Sequence, residues 1–294
     1  MEQTPSSLTA NIIWLVDGKH TIHPAVEDKV VKLAKLHHAT ISIVFDNRLR
    51  ARERHYWFMF DKSEQAEQTW IKEQEEKQQR IRERMKQENL AFNFIVLDKP
   101  NYMETIEACT QGKKDNLLLI QDEQITERHP IFQDLANLQC HVLVMQPKAW
   151  NSQTRLIGAV DPLHENSRPD DLDFIISKKT RNLAKLLKSE WVIAHACHVP
   201  ASFIQYKHKI STLHRQGLDD FMERIGATPK HAVLLNGLPE KALTDWVNKQ
   251  DSDILVIGNV TRNMLLSHLV GSTTMALLNN PPCDMLLIKS PRHN

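Results

Sequence analysis

The residues best suited to holding a ligand fall in one stretch, GNVTRNMLLSHLVGSTT, from Gly258 to Thr274. It follows the apolar run Ile254–Ile257 and leads into a segment that ends near Asn279, Asn280 and Pro281. A glycine directly after a strand lets the backbone turn and approach a ligand with no Cβ in the way. Gly271, Ser272, Thr273 and Thr274, opening a helix, would offer backbone N–H groups, hydroxyls and the positive end of the helix dipole. That combination suits phosphate. A tight turn followed by an ordinary Ser/Thr N-cap would read the same way. On these residues alone the plainer reading leads, because short Gly-Ser matches recur by chance.

The fifteen histidines raise the question of metal. His195, Cys197 and His198 form the sharpest cluster, with His164 near the same sheet edge. On a strand, alternation sends His195 and Cys197 to one face and His198 to the other, so the three cannot share an ion. No metal is therefore expected, and His195, Cys197 and His164 stand only as weak candidates. His20 and His23 rank no higher, and His37–His38 suits the end of a helix, where imidazolium complements the dipole. There is no GxSxG, HExxH, Gly-Lys-Ser/Thr phosphate loop or cysteine paired with an evident base, so no catalytic residue is assigned.

Positioning these residues requires strands. Short apolar runs occur at Ile12–Val16, Ala39–Phe45, Phe92–Leu97, Leu117–Ile120 and Val142–Met145, and again at Leu156–Val160, Trp191–Ala196, Ala232–Leu235, Ile254–Ile257 and Met285–Ile288. They are continuous rather than alternating, as strands covered on both faces are. Longer amphipathic stretches separate them, which predicts two α/β units with parallel sheets. The halves also repeat each other. IIWLVDGKH aligns with LIGAVDPLH, placing Asp17 opposite Asp161. LAKL recurs, DNLLLIQ matches SDILVIG, and HVLVM after Cys140 matches DMLLI after Cys283. Four matches in one order point to duplication. The expected domains are 1–150 and 151–294, joined near Pro147–Thr154.

Composition narrows the function. Forty-one per cent hydrophobic and 25% charged residues suit a globular protein with a sizeable core, and a net charge of +1 argues against general nucleic-acid or membrane-surface binding. No signal-peptide pattern or membrane-length apolar run occurs, and the four cysteines lack CxxC spacing. A soluble, cytoplasmic protein with reduced thiols is expected. The Glu, Gln, Lys and Arg run from Asp61 to Asn89 predicts a helix facing solvent rather than a docking helix.

The second half resembles the universal stress protein family. The features that carry this are the first strand ending in Asp161, AHA at 194–196, NGLPEKAL at 236–243, SDILVIG, and the CDMLLIK strand. Between the last two, the family spacing Gly-x2-Gly-x9-Gly-Ser/Thr reads here as Gly258-x2-Thr261-x9-Gly271-Ser272. The first half extends the resemblance more loosely, and the tandem arrangement is similar to the two-domain E type of bacteria. It implies two doubly wound five-stranded domains (nucleotide hydrolase-like, Rossmann-like) related by a pseudo-twofold axis through their last strands. This would be an intramolecular pseudo-dimer, with further homodimerisation left open. It also implies a cleft for ATP or AMP, with Asp161 and Ala196 on the nucleoside and Gly258, Thr261, Gly271, Ser272 and Thr273 around the phosphates. Thr261 replaces a family glycine, and its Cβ narrows the phosphate space.

Domain 1 departs further. Gln121 stands opposite Gly258, the segment EQITERHPIFQDLAN contains no glycine, and six of the eight glycines lie beyond residue 150. Family-type nucleotide binding is not expected there. The expected function is a stress-response protein that senses a small ligand in domain 2 and signals through protein partners. A ligand-independent scaffold is the alternative, and a weak ATPase a third reading.

Overall fold

In a computed structural model of the chain, residues 11–48, 63–97, 99–113, 115–122, 128–163, 171–259 and 271–289 are described. The chain divides into two compact units, Met1–Gln121 and Asp122–Asn294. All ten apolar runs are strands, and the α/β fold of two tandem, doubly wound repeats is the one observed.

In the first unit β1 (Asn11–Asp17), β2 (Ile41–Asp46), β3 (Phe92–Leu97) and β4 (Asn116–Gln121) lie in the order β3-β2-β1-β4, all parallel. Helix α1 (Pro24–His37) starts on a capping imidazole: His23 Nδ1 accepts from the Ala25 N–H, and Pro24 supplies the fixed φ of a first helical residue. It ends at His38 in the left-handed region, φ 48°, whose N–H bonds back to Ala34 and Lys35. Helix α2 (Ser63–Gln87) is mostly exposed, but one stripe is not: Gln74, Ile81 and Met85 are buried. The solvent-facing helix expected from the sequence thus also carries a buried stripe. Ion pairs Arg80–Glu27, Arg84–Asp28 and Lys35–Glu88 strap it to α1, and Arg82 lies 3.9 Å over the Phe94 ring. Helix α3 (Tyr102–Thr110) completes the unit.

The second unit holds α4 (Ile131–Asp134), β5 (His141–Met145), β6 (Arg155–Val160), α5 (Leu172–Leu187), β7 (Glu190–Cys197), α6 (Lys207–Arg224), β8 (Ala232–Asn236), α7 (Pro239–Gln250), β9 (Ile254–Gly258), α8 (Ser272–Asn279) and β10 (Asp284–Ile288). Its strand order is β5-β10-β9-β6-β7-β8. The run β8-β7-β6-β9 repeats β3-β2-β1-β4, so the duplication read from sequence recurs in topology.

Strand β5 ends the first sequence repeat, yet it lies in the second compact unit because it pairs with β10. This pairing is antiparallel. Leu143 faces Leu286, the middle residues of HVLVM and DMLLI, while Val142 faces Leu287 and Val144 faces Met285.

The connection that follows β5 is fixed by two buried carboxylates. Asp284 accepts from Gln146 N (2.7 Å) and Trp150 Nε1 (2.7 Å), and Asp253 from Asn151 N (2.7 Å) and Arg155 N (2.8 Å). Hydrogen bonds from Lys148 and Asn151 also hold the Asp251 carboxyl below the usual carboxylate range. Among the described residues no helix is long and apolar enough to cross a membrane.

Removing a buried acceptor leaves its donors unmet at ~1–3 kcal/mol each. Asp284→Ala is therefore expected to lower unfolding free energy by about 2–4 kcal/mol. Urea denaturation followed by tryptophan fluorescence checks this, and a midpoint like that of the native chain would show that the strap is idle.

Candidate functional site

Within the second unit β6 and β9 are parallel neighbours, with Leu156, Ile157 and Gly158 opposite Ile254, Leu255 and Val256. A crevice at the carboxyl ends of such strands is where doubly wound sheets bind ligands. A cleft of about 600 Å³ opens there. Its walls include Ala159, Val160 and Asp161 from the end of β6, Ala194–Ala196 from β7, Leu238–Glu240 at the start of α7, Gly258, and Gly271–Thr274 at the start of α8.

Asp161, Ala196, Gly258, Gly271, Ser272 and Thr273, all named from sequence, thus line one cleft. Thr261 lies outside the described residues.

The role of the glycines differs from the expected one. Gly258 is the last residue of β9 and does not adopt positive φ. A Cβ on it would stand 2.8 Å from Leu172 Cδ2, so its bareness admits the first residue of α5 against the strand. Gly271 has φ −56° and ψ 147°, open to any residue, and contributes by presenting no side chain to the cleft.

Gly271, not Ser272, is the N-cap of α8, and it supplies no side-chain acceptor to the first-turn amides. The ordinary Ser/Thr cap is therefore not what this sequence builds. Thr274 turns inward and donates to Gly258 O at 2.9 Å, fixing the helix start to the end of β9. Ser272 and Thr273 remain on the cleft wall, at the positive end of an eight-residue helix.

The opposite wall is held by hydrogen bonds. Asp161 N donates to Asp173 Oδ2 (3.1 Å) in the first turn of α5. His195 is 2% exposed, and its Nδ1 lies 3.2 Å from Val160 O and 3.8 Å from Asp161 Oδ1. Its Nε2 lies 2.7 Å from His214 Nδ1 on α6. A carbonyl only accepts, so Nδ1 of His195 carries the hydrogen, and in the neutral ring Nε2 accepts from His214. Both ring nitrogens are thereby committed to the protein.

Cys197 is buried, two residues along the strand, with Sγ 3.9 Å from Ser211 Oγ, also on α6. The alternation of His195 and Cys197 thus matches Ser211 and His214 at i,i+3 on the facing helix. His198 lines the cleft, and His164 lies outside the described residues. No group of three or more His, Cys, Asp or Glu among the described residues could hold a metal ion.

Sequence reading missed His214 and Glu240. His214 sits in a polar helix with no motif of its own; only its spacing from Ser211 could have tied it to His195 and Cys197. In the first unit the corresponding position to Gly258 is filled. Gln121 Oε1 accepts from His23 N and Gln121 Nε2 donates to Thr21 O, both at 3.0 Å. Asp17 pairs with His20 at 3.2 Å.

A doubly wound α/β sheet with a crevice at its carboxyl edge and a bare helix start in its wall is a Rossmann-like arrangement. The family model described as Universal stress protein family matches residues 172–289, within the second unit. Universal stress protein E of Photorhabdus laumondii is 22% identical over 217 residues, covering 66% of this chain and 68% of that one. Among solved structures, a protein of unknown function from Pseudomonas aeruginosa PAO1 superposes with TM-score 0.67 at 17% identity, covering 95% of this chain and 92% of its own. A universal stress protein from Archaeoglobus fulgidus gives TM-score 0.62 at 14% identity, with 95% and 98% covered. Those structures share the fold.

The hydrogen-bond chain fixes a tautomer. Nitrogen-15 NMR at neutral pH is expected to show His195 protonated on Nδ1 and accepting on Nε2. The reverse tautomer would break the link from Val160 to His214.

Proposed function

We propose that this protein takes part in the stress response by binding a small anionic ligand of the adenine nucleotide class, ATP or AMP, in the second-unit cleft. One observation carries the reading: the first turn of α8 meets the cleft with no cap side chain occupying its amides, in the same wall system as Asp161 and Ala196. Gly258, Gly271, Ser272 and Thr273 receive the phosphates, with Thr261 limiting their space. Asp161 and Ala196 take the nucleoside, whose hydroxyls suit a carboxylate. No metal is required of the protein.

On this reading the repeats 1–150 and 151–294 divide the labour in the cytoplasm. The second senses ligand, and bound ligand alters the surface offered to protein partners. A scaffold needing no ligand is the alternative, supported by the long, largely exposed α2. Slow ATP hydrolysis has least support, since the sequence assigns no catalytic residue.

Calorimetry with AMP and ATP tests the proposal. Saturable binding is expected, weakened about tenfold or more by Ser272→Glu, which sets a negative charge at the helix start. Thr261→Gly is expected to strengthen ATP binding more than AMP binding. Failure of both nucleotides to bind the native chain would leave the scaffold reading. Phosphate release above that of an Asp161→Ala, Ser272→Ala variant would be needed to sustain the ATPase.

A further inference from the structure

The second unit carries apolar surface that its own core does not use. Residues Ala201–Tyr206 form a 3-10 helix that runs directly into α6, and none of them is buried. Phe203, Ile204, Tyr206 and, farther along, Leu213 are between 48% and 61% exposed. A single exposed apolar side chain is ordinary, whereas large ones gathered in one short stretch mark an interaction surface. The inner face of α6 is already engaged. Ser211 meets Cys197, His214 meets His195, and Leu218, Phe221 and Met222 are buried.

Spacing sets these side chains in one stripe. Phe203 and Tyr206 are a 3-10 turn apart and eclipse each other. Tyr206, Lys209 and Leu213 follow at i, i+3 and i+7, all exposed. Lys209 is thus set among apolar side chains, with Lys207 beside it, and neither makes an ion pair among the described residues. No acidic residue occurs between Glu190 and Asp219, so the charge here has one sign. Such a surface fits an apolar side chain flanked by carboxylates.

The first half of α2 has that pattern. From Ser63 to Glu76 it holds five glutamates against one lysine, and Lys72 is drawn to Glu76 at 3.9 Å. Glu67, Ile71 and Glu75, at i, i+4 and i+8, share one stripe and are all exposed, Ile71 by 47%. At about 1.5 Å per residue this stripe is about 12 Å long, and Tyr206 to Leu213 spans about 10 Å. The two surfaces match in length and oppose in charge, and each centres on apolar side chains left in water.

We propose that this protein self-associates through these surfaces, the 3-10 helix and first turns of α6 in one copy lying against the first half of α2 in another. Ile71 enters among Phe203, Tyr206 and Leu213, while Lys207 and Lys209 meet Glu67 and Glu75. The apolar centre supplies affinity and the charges set the register. The contact gives α2 a docking role that its polar sequence does not advertise, and it does not rest on nucleotide binding.

Sedimentation velocity of the full chain over a range of micromolar concentrations tests this, and reversible association is expected. Lys207→Glu with Lys209→Glu in one variant, and Glu67→Lys with Glu75→Lys in another, are each expected to weaken self-association about tenfold or more. All four positions are exposed, so both variants keep the fold. Mixed in equal amounts, the two are expected to associate with each other, because each restores the sign that the other has lost. Ile71→Ser is expected to weaken association without altering charge. A native chain that stays monomeric, association that survives either charge reversal, or variants that do not recover on mixing would overturn the proposal. A monomeric native chain captured by vesicles of anionic lipid would also overturn it, and would assign the basic stripe to a membrane.

Discussion

Parallel strands expose all their carboxyl ends along one edge, and the cleft depends on what two neighbours do there. After β6 the chain passes to α5, and after β9 it passes to α8; between these departures the edge is left open. Thr274 is the pin that keeps the opening in shape, since its hydroxyl joins the start of α8 to the last carbonyl of β9. On the other side His195 ties β7 to β6 through Val160 and to α6 through His214. These are buried polar contacts in an apolar setting, where a satisfied hydrogen bond fixes one geometry and a broken one is costly. Ser272 and Asp161 on the cleft wall are placed by them.

Much of the fold was legible because parallel strands buried on both faces leave an unmistakable residue pattern. SDILVIG and CDMLLIK read as strands from their apolar continuity, and both are. Asp253 and Asp284 within those motifs were harder to interpret. They are acidic residues at strand starts that look like surface punctuation, but they are buried and hold residues 146–155 by backbone and indole hydrogen bonds. Nothing local to either aspartate signals partners about a hundred residues away. The buried stripe of α2 was missed for a related reason. Only Ile81 and Met85 among its buried positions are apolar, so Gln74 carries no hydrophobic period to read.

The cleft residues were legible as a set but not always for the right cause. Gly258 was singled out for letting the backbone turn and approach a ligand with no Cβ in the way, and the room its missing Cβ leaves is taken up on one side by Leu172. Gly271 needs no unusual dihedral either. In both cases the missing Cβ matters more than backbone freedom, a distinction invisible without the neighbours. His214 shows the opposite limit: a residue that supports the site from a different helix, with no signature in its own segment.

The register of β5 against β10 ties the histories of the two copies together. Since the middle leucine of one strand meets the middle leucine of the other, bulk lost from Leu143 must be restored at Leu286 or a void is left in a close-packed layer. Neither copy can drift alone along that seam. The carboxyl edges carry no such mutual obligation, and there the copies have parted company: a tethered glutamine side chain at 121, a bare glycine at 258. Likeness has been retained where the duplicated strands touch and abandoned where each copy faces outward, which is how one ancestral fold can come to present two dissimilar edges.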